Sequence, residues 1–242
     1  MRRWPFPTLA LLLAVGAACV RGAPFPEPKL LFADLTQSAG VAHVHQKPIF
    51  DERLAKVMPW ISSINAGVAV ADFNGDGLAD IYALGSRPGA ANALYRNNGN
   101  LTFTNVAEEC GVAFVNDKQS VSMDAVFGDI DNDGDQDLFL AGYGRNRLLR
   151  NDHGRFVDVT ERAGFSGRCN ASSAVFLDYN NDGWVDILEG NYFPKSVDLW
   201  NIPSTKILPE NFVKARNGGG LLLYRNNKNG TFSDVTSSAG LT

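Results

Sequence analysis

The apolar residues of this chain fall mostly into short runs that polar turn residues separate. Around three acidic segments these runs span four to seven residues, are rich in Val, Ile, Leu and Phe, and are bounded by Gly and Asp. Short runs of β-branched and aromatic residues between turn residues are typical of strands, whereas an amphipathic helix needs a longer segment with a 3.6-residue period. The pattern therefore predicts an all-β fold built from many short strands.

One acidic nonapeptide recurs between these runs with the consensus Asp-x-Asp/Asn-x-Asp-Gly-x-x-Asp. Its copies are DFNGDGLAD (72–80), DIDNDGDQD (129–137) and DYNNDGWVD (178–186). Oxygen-bearing side chains at positions 1, 3, 5 and 9 can converge on one hard cation, and Gly at position 6 permits the sharp turn that this requires. Calcium accepts about six to eight oxygens in a flexible cage, so we predict three calcium sites.

Each predicted site combines four side chains with the main-chain carbonyl of position 7, which is Leu78, Asp135 or Trp184. The side-chain ligands are Asp72, Asn74, Asp76 and Asp80, then Asp129, Asp131, Asp133 and Asp137, then Asp178, Asn180, Asp182 and Asp186.

An EF-hand loop begins in a similar way but lies between two helices and has Glu at position 12. Here position 12 is Ala83, Leu140 and Glu189, so only the third copy carries a carboxylate. Because the flanking runs also have the pattern of strands, we predict that each loop is a turn between two strands.

A second element follows each loop. Its copies are NALYRNNGNLTFTNVAEECGV (92–112), NRLLRNDHGRFVDVTERAGF (146–165) and GLLLYRNNKNGTFSDVTSSAGL (220–241), with Asn105-Val106-Ala107 departing from Asp-Val-Thr in the first. Each predicts a strand, an Asn/Gly turn and a second strand. The loops start 57 and then 49 residues apart. Four-stranded units at roughly this spacing are typical of β-propeller blades.

These two motifs, in a fixed order, resemble FG-GAP/VCBS repeats, and more closely the N-terminal repeats of the ASPIC/UnbV group, which is related to cartilage acidic protein. The resemblance runs from Leu31 to Leu241. It implies a calcium-stabilised β-propeller similar to the head of integrin α subunits. The Phe-Gly…Gly-Ala-Pro signature itself is reduced to Phe127-Gly128, and the C-terminal domain typical of the group is absent from this sequence.

The predicted organisation is one leader, one orphan element and three blades. In chain order these are a signal peptide (1–22), an orphan N-terminal strand with its lead-in (23–64), blade 1 (65–112), blade 2 (113–165) and blade 3 (166–242) with an inserted loop (192–217). The orphan strand, LLFADLTQSAGV (30–41), matches the last element of each blade but has no hairpin before it. Such a strand commonly pairs with the last blade of a propeller and seals the ring.

Three blades are fewer than the usual four to eight, and an unclosed ring leaves unpaired sheet edges. Two interpretations stay open. The sequence is incomplete, or is an isoform that ends at a blade boundary. Alternatively, it is a short open array that self-association through its blade edges completes.

The first residues have the pattern of an export signal. Arg2 and Arg3 precede the apolar stretch TLALLLAVGAA and a group of small residues, which predicts cleavage between Ala18 and Ala23. The apolar stretch is shorter than the roughly 20 residues that cross a bilayer, so we predict no transmembrane segment. The expected location is secreted, periplasmic or at the cell surface. Lipoprotein anchoring through Cys19 is disfavoured, because Gly16 stands where the lipobox usually has Leu.

The charge balance adds little beyond the metal sites. The formal net charge is −4, and eleven of the 26 acidic residues lie inside the three loops. Without a basic stripe or basic residues interleaved with aromatic ones, the sequence predicts no nucleic-acid partner.

Three further features have two readings each. Cys110 and Cys169 could form a disulfide in an oxidising compartment or stay free. His43 and His45 would share one side of a strand, as a second metal site or, as we favour, as surface residues. In the inserted loop, Trp200 and Phe212 could belong to a binding loop or, slightly favoured, fold back over the blade.

No catalytic motif such as G-x-S-x-G or H-E-x-x-H occurs, so we predict a protein that is not an enzyme. The predicted function is that of an exported calcium-binding β-propeller, with structural calcium, acting as an interaction or adhesion scaffold for an extracellular protein or glycan. The alternative is a carbohydrate-active enzyme, or the accessory repeat domain of one, because paired carboxylates could supply acid–base catalysis.

Overall fold

The computed structural model describes residues 32–55, 66–202 and 218–241. The predicted signal peptide with Cys19, and the part of the inserted loop that contains Phe212, lie outside these residues. We describe the compact unit that begins at Leu35. No helix in the described ranges is long and apolar enough to cross a membrane.

The described chain is built from twelve strands, one turn of 3-10 helix (Glu52–Leu54) and one short helix, α1 (Thr160–Ala163). This confirms the predicted all-β class. The strands are β1 (Val68–Ala71), β2 (Asp80–Ala83), β3 (Ala93–Asn97), β4 (Phe103–Asn105), β5 (Val121–Gly128), β6 (Asp137–Gly144), β7 (Arg147–Asp152), β8 (Arg155–Asp158), β9 (Cys169–Leu177), β10 (Asp186–Asn191), β11 (Gly220–Asn226) and β12 (Phe232–Asp234).

The strands form three antiparallel meanders of four, which we call repeat 1 (β1–β4), repeat 2 (β5–β8) and repeat 3 (β9–β12). Repeats 2 and 3 share one eight-stranded sheet, because the end of β6 also pairs with the start of β9 at Tyr143↔Asn170. Each acidic loop joins the first two strands of its repeat. The pairs that close the loops, Ala71↔Asp80, Gly128↔Asp137 and Leu177↔Asp186, have the same register in all three repeats.

Neighbouring repeats pack face to face, and alternate residues of a strand serve different neighbours. Tyr82 of β2 and Leu138 of β6 are fully buried in the core between repeats 1 and 2, whereas Phe139 and Ile187 are fully buried between repeats 2 and 3. The period of two along a strand places successive side chains on opposite faces of its sheet. Burying one large apolar side chain contributes roughly 1.5–3 kcal/mol, so these two interfaces hold the repeats together.

The Phe-Gly pair has a packing role at the second interface. A Cβ atom on Gly128 would lie 2.6 Å from the ring of Phe176 in repeat 3, which is closer than two carbon atoms can approach. The glycine thus leaves space for an aromatic ring of the next repeat.

A one-turn helical segment follows the outer strand of each repeat. In repeat 2 it is α1 with its flanks, where the Ala163 N–H donates to the Val159 carbonyl at 2.8 Å. The same hydrogen bond joins Ala39 to Leu35 at 2.7 Å in the segment that we predict to be an orphan strand. Within the predicted orphan element (30–41), residues 36–40 form a turn and no strand is assigned to residues 32–35. The turn contacts β4, because the Phe103 N–H donates to the Ala39 carbonyl at 2.8 Å.

The departure at Asn105-Val106-Ala107 has a structural explanation. In the other two repeats the hydroxyl oxygens of Thr160 and Thr236 each accept a hydrogen bond at 2.9 Å from a main-chain N–H of the third strand, at Leu148 and Leu223 respectively. In repeat 1 this threonine is Ala107, and Asn105 Oδ1 accepts instead from the Leu94 N–H at 3.3 Å. The asparagine therefore replaces the lost hydroxyl as acceptor.

The start of the inserted loop packs against the residues that precede the 3-10 turn. Trp200 meets Phe50 edge to face with 5.3 Å between ring centroids, and Phe50 also contacts Tyr143 at 5.6 Å. The Asp51 N–H donates to the Leu199 carbonyl at 2.9 Å. These contacts agree with the interpretation that Trp200 folds back over the blade.

Both cysteines of the expected mature chain are free and buried, so the disulfide interpretation is not supported. The Cys169 thiol donates to Asn146 Oδ1 at 3.0 Å and to the Gly142 carbonyl at 3.2 Å. Burial raises the pKa of this thiol. Cys169 therefore packs as a neutral side chain between repeats 2 and 3.

The two histidines meet at one main-chain carbonyl. His43 Nε2 and His45 Nδ1 each lie 2.9 Å from the Leu84 carbonyl oxygen, so both of these nitrogens act as donors. The rings are half-buried and do not lie on a strand, which corrects the picture of surface-facing strand residues. Within the described ranges, no cluster of three or more acidic, His or Cys side chains includes either histidine, so a second metal site is not supported.

An asparagine at the end of the third strand links each of two repeats to the repeat before it. Asn151 Nδ2 donates to the Phe73 carbonyl at 2.7 Å, and Asn226 Nδ2 donates to the Ile130 carbonyl at 2.8 Å. Both acceptors are position 2 of the preceding acidic loop. Each side chain also donates to its own loop, at 3.1 Å and 3.2 Å respectively. We call this contact the asparagine link.

Replacing Asn151 with Ala should lower the free energy of unfolding by about 1–3 kcal/mol, because two main-chain carbonyls would lose their donor in a buried place. Asn97→Ala is the matched control, since its amide donates only to its own loop, at 3.0 Å to the Ala79 carbonyl. Urea unfolding of both variants in EDTA measures the difference. Equal losses would show that the contact between repeats contributes nothing.

Candidate metal centres

The acidic loops turn at two positions with left-handed backbone geometry. Position 6 has φ of 84° at Gly77, 96° at Gly134 and 80° at Gly183. Position 4 is also left-handed, with φ between 56° and 71°, and it is Gly in the first loop and Asn in the other two. Gly and Asn are the residues that tolerate this region best. The backbone conformation at position 4 of the consensus is therefore constrained as well. In the sequence this constraint is visible only because position 4 is Gly or Asn in every loop.

The first aspartate of each loop holds the turn together. In the second loop, Asp129 accepts hydrogen bonds from the main-chain N–H groups of Asp133 at 3.2 Å and Gly134 at 3.0 Å. The equivalent four bonds in the other loops measure 2.7–3.1 Å. The position 5 carboxylate likewise accepts from the N–H of position 7, at 2.8–3.0 Å in the three loops. Identical side-chain bonds thus give all three loops the same conformation.

The aspartate at position 9 is the most buried residue of each loop, with 0–1% exposure at Asp80, Asp137 and Asp186. Asp137 accepts from the N–H of Ile130 at 2.8 Å and from that of Asn151 at 2.7 Å. The other two loops repeat both bonds at 2.7–3.2 Å.

The donors from the third strand are Asn97, Asn151 and Asn226, which the sequence reasoning did not single out as site residues. Their signal is the Arg-Asn-Asn/Asp triplet present in all three copies. The same asparagine therefore fixes the loop through its main chain and, in repeats 2 and 3, makes the asparagine link through its side chain.

The second loop brings three of its predicted ligands together. Asp129, Asp131 and Asp137 each offer one carboxylate oxygen, and these oxygens lie within 4.8 Å of one another. Two oxygens on opposite sides of a calcium ion at about 2.3–2.6 Å would be roughly 5 Å apart, so this spacing fits the ion. Asp131 Oδ1 is buried and has no hydrogen-bond partner. Such an atom costs free energy unless a cation or donor reaches it.

Burial acts against ionisation in this cluster. It raises the pKa of Asp137 to about 7, although hydrogen bonds from Ile130 and Asn151 favour the charged form. Burial, and then the neighbouring charges of Asp133 and Asp129, also raise the pKa of Asp131. A divalent cation would reverse both effects, because it supplies the missing positive charge.

Loops 1 and 3 have Asn rather than Asp at position 3 and form no such three-carboxylate cluster in the described structure. Asn74 Nδ2 donates to Asp76 Oδ2 at 3.0 Å, and Asn180 makes the same bond to Asp182 at 3.0 Å. Lys228 Nζ also lies 3.1 Å from Asp182 Oδ2. These amide and ammonium groups take up oxygens that are predicted to bind the ion. The position 7 carbonyls of the three loops stay predicted ligands.

Glu189, the acidic residue at position 12 of the third loop, has a different role. It is fully buried, and it accepts hydrogen bonds from the side-chain amides of Asn146 and of Asn191, the latter at 2.9 Å. Burial raises the pKa of its carboxyl group, against these two hydrogen bonds. Glu189 thus connects repeats 2 and 3 and contributes nothing to the loop.

A cleft lies beside this contact. It combines two cationic side chains with a carboxylate, a phenol and an amide, which are groups that can hydrogen-bond a polar ligand. The lining residues include Asn146, Arg168, Lys195, Tyr224 and Asp234. Lys195 is exposed, so it is free to contact a ligand without a part in the core.

Glu189→Gln should change how stability depends on pH. The Glu189 carboxyl group keeps its proton to a higher pH in the folded state than in the unfolded state. Its contribution to the free energy of unfolding is therefore complete below its pKa in the unfolded state, and it is lost as the pH rises through its pKa in the folded state. The difference in unfolding free energy, parent minus variant, should therefore fall as the pH rises from about 4.5. Chemical unfolding in EDTA at several pH values measures it, and parallel curves would contradict it.

The family model of the FG-GAP-like repeat matches residues 72–140 and 129–189. Both matches begin at position 1 of an acidic loop, and together they span just under half of the chain. No curated protein matches the sequence significantly.

Among solved structures, one similar chain comes from a study titled as the structural basis of specific recognition of non-reducing terminal N-acetylglucosamine by a lectin of Agrocybe aegerita. It is 19% identical, the TM-score is 0.39, and the match covers 71% of this chain and 38% of that chain. This chain therefore spans well under half the length of that protein. The family match shows that the chain contains FG-GAP-like repeats.

Proposed function

We propose that this protein is an exported repeat scaffold that calcium stabilises and that binds an extracellular protein or glycan. The observation that carries the proposal is the cluster of Asp129, Asp131 and Asp137 with its unpartnered buried oxygen. The FG-GAP-like repeats support it. Export, the ASPIC/UnbV relationship and the closure of a propeller belong to the same proposal.

Calcium fits the second loop better than a smaller or softer ion. The donors there are oxygens only, which favours hard cations. A calcium ion would be held by Asp129, Asp131, Asp133 and Asp137 together with the carbonyl of Asp135. When bound it supplies positive charge that neutralises the cluster and fixes the turn. Because loops 1 and 3 have the same main-chain hydrogen bonds, we extend the assignment to them.

The ion in this proposal is structural. The position 9 carboxylates are bonded to the third strand of their own repeats, so a cation at the loop would hold three strands of one sheet in register. Binding only to the folded state stabilises that state by about 1–3 kcal/mol at calcium concentrations about 10–100 times the dissociation constant.

Asp131→Ala should have opposite effects with and without calcium. In EDTA the variant should be at least as stable as the parent, because it loses a repelling charge and an unpartnered oxygen. In 10 mM calcium it should lose about 1–3 kcal/mol of the stabilisation that the ion gives the parent. Melting temperature and urea midpoints in both buffers measure these effects.

Two further variants complete that series. Asp131→Asn keeps one ligand oxygen and gives the second loop the donor set of the other two, so its loss in calcium should be intermediate. Glu161→Gln removes an exposed carboxylate outside the loops and should change neither value. A calcium-induced shift of the parent that Asp131→Ala leaves unchanged would show that the second loop does not bind the ion.

The interaction role is best tested at the cleft between repeats 2 and 3. A glycan array, together with a screen of extracellular proteins, should show binding that Lys195→Ala weakens at least several-fold without a change in melting temperature. Binding that Lys195→Ala leaves intact would place the contact elsewhere on the scaffold.

The alternative function is a carbohydrate-active enzyme. Asp234 lines the cleft and is not part of an acidic loop. Turnover of a polysaccharide that Asp234→Asn abolishes would favour the enzyme, whereas binding without turnover favours the scaffold.

A further inference from the structure

In repeats 1 and 3, the turn between the last two strands lies beside the acidic loop of the same repeat. In repeat 3 this turn contains Lys228, whose main-chain N–H donates to Asn226 Oδ1 at 2.8 Å. Gly99 holds the equivalent position in repeat 1, because its N–H donates to Asn97 Oδ1 at 3.0 Å. A Cβ atom on Gly99 would lie 3.3 Å from Leu78 Cδ1 of loop 1. A side chain at this position of the turn therefore reaches the acidic loop.

Lys228 adopts a backbone conformation that favours a different residue. Its φ is 62°, in the left-handed region, and the equivalent Gly99 has a φ of 76°. Glycine adopts this region without steric cost, whereas the Cβ atom of any other residue comes close to a carbonyl oxygen. The turn by itself therefore does not account for a lysine at this position.

The ammonium group of Lys228 lies on a predicted calcium ligand. Its Nζ is 3.1 Å from Asp182 Oδ2 and 3.5 Å from the Asp182 carbonyl oxygen. Asp182 is position 5 of loop 3, and its carboxylate is one of the four side-chain ligands predicted there. The lysine thus places a positive charge on an oxygen that the loop needs for a metal ion.

Loop 1 is a natural comparison for loop 3. Both loops have the donor set Asp, Asn, Asp and Asp at positions 1, 3, 5 and 9. In both, the asparagine at position 3 donates to the carboxylate at position 5 at 3.0 Å. Loop 3 receives in addition the ammonium group of Lys228, for which repeat 1 has Gly99. This ammonium group is the charged group that distinguishes two loops of equal donor set.

We propose that Lys228 is an internal counter-cation of loop 3, which competes with calcium for Asp182 and makes this loop a weaker calcium site than loop 1. The proposal rests on the calcium assignment made under the proposed function. Without calcium, the ammonium group neutralises the Asp182 carboxylate. Lys228 leaves this carboxylate when the loop takes up the ion, because two cations beside one oxygen repel each other.

The test reads loop 3 through its own tryptophan. Trp184 is the only tryptophan in the three acidic loops, so terbium bound in loop 3 luminesces when tryptophan is excited. Calcium that displaces the terbium then gives the calcium affinity of this loop in the full chain. For loop 1 the reporter is moved by the paired changes Leu78→Trp and Trp184→Leu, which exchange the two position 7 residues.

In the parent, loop 3 should need about threefold to tenfold more calcium than loop 1, as expected for the loss of an exposed ion pair and the repulsion between two nearby cations. Lys228→Gly gives the turn the residue of repeat 1 and should remove most of this difference. Lys228→Arg keeps the cation and should preserve it. Arg225→Gln is the matched control, because it removes an exposed positive charge of β11 and should leave the calcium affinity of loop 3 nearly unchanged.

A second measurement follows the lysine itself. Acylation of Lys228 by acetic anhydride, measured by peptide-resolved mass spectrometry, should be clearly faster in calcium than in EDTA, because the amine is then released from Asp182. Lys195 is the control, since it is exposed and lies outside the acidic loops, and its acylation rate should be the same in both buffers.

Three results would overturn the proposal while leaving the calcium assignment intact. One is an equal calcium affinity of loops 1 and 3 in the parent. Another is a Lys228→Gly variant whose loop 3 binds calcium no more tightly than that of Arg225→Gln. The third is an acylation rate of Lys228 that calcium leaves unchanged. Terbium luminescence that is absent from both the parent and Lys228→Gly would instead overturn the calcium assignment of loop 3, and this proposal with it.

Discussion

The buried aspartate at the ninth position of each acidic loop is the contact on which the rest of the architecture depends. Its two oxygens accept hydrogen bonds from the start of the loop and from the third strand, so one side chain joins three segments of a repeat. Buried carboxylates are tolerated only when such donors surround them. Because the donor residue on the third strand is the asparagine that links repeats 2 and 3 to their predecessors, the geometry within a repeat also sets the packing between repeats.

This arrangement explains how the loops keep their shape through protein contacts, and it leaves the second loop suited to the proposed cation. Main-chain N–H groups satisfy the carboxylates at positions 1, 5 and 9, which fixes their positions before any ion arrives. They leave Asp131 Oδ1 without a donor, and Asp131 is a member of the three-carboxylate cluster. Preorganised oxygens without a donor are what a calcium ion binds with least reorganisation. Asn at position 3 in the other two loops lowers this repulsion, so the second loop would gain the most from the proposed ion.

The local parts of the fold were predictable from sequence, and the contacts between repeats were not. Periodicity and turn residues predict the strands on both sides of each loop, because alternation and left-handed Gly or Asn are local requirements. In the sequence the asparagine link is visible only as a triplet that recurs in all three repeats, because the acceptor of Asn151, the Phe73 carbonyl, lies 78 residues away in sequence. The role of Glu189 could not be predicted from the sequence either, because its hydrogen-bond partner Asn146 belongs to another repeat.

The predicted orphan strand over residues 30–41 illustrates the same distinction, because residues 36–40 form a turn and no strand is assigned to residues 32–35. The sequence of that segment repeats the Asp-Val-Thr element, and its turn forms correctly because the hydrogen bond from Ala39 to Leu35 is local. The turn also contacts β4, because the Phe103 N–H donates to the Ala39 carbonyl. The repeated residues therefore reproduce the local turn, whereas strand pairing depends on residues elsewhere in the chain.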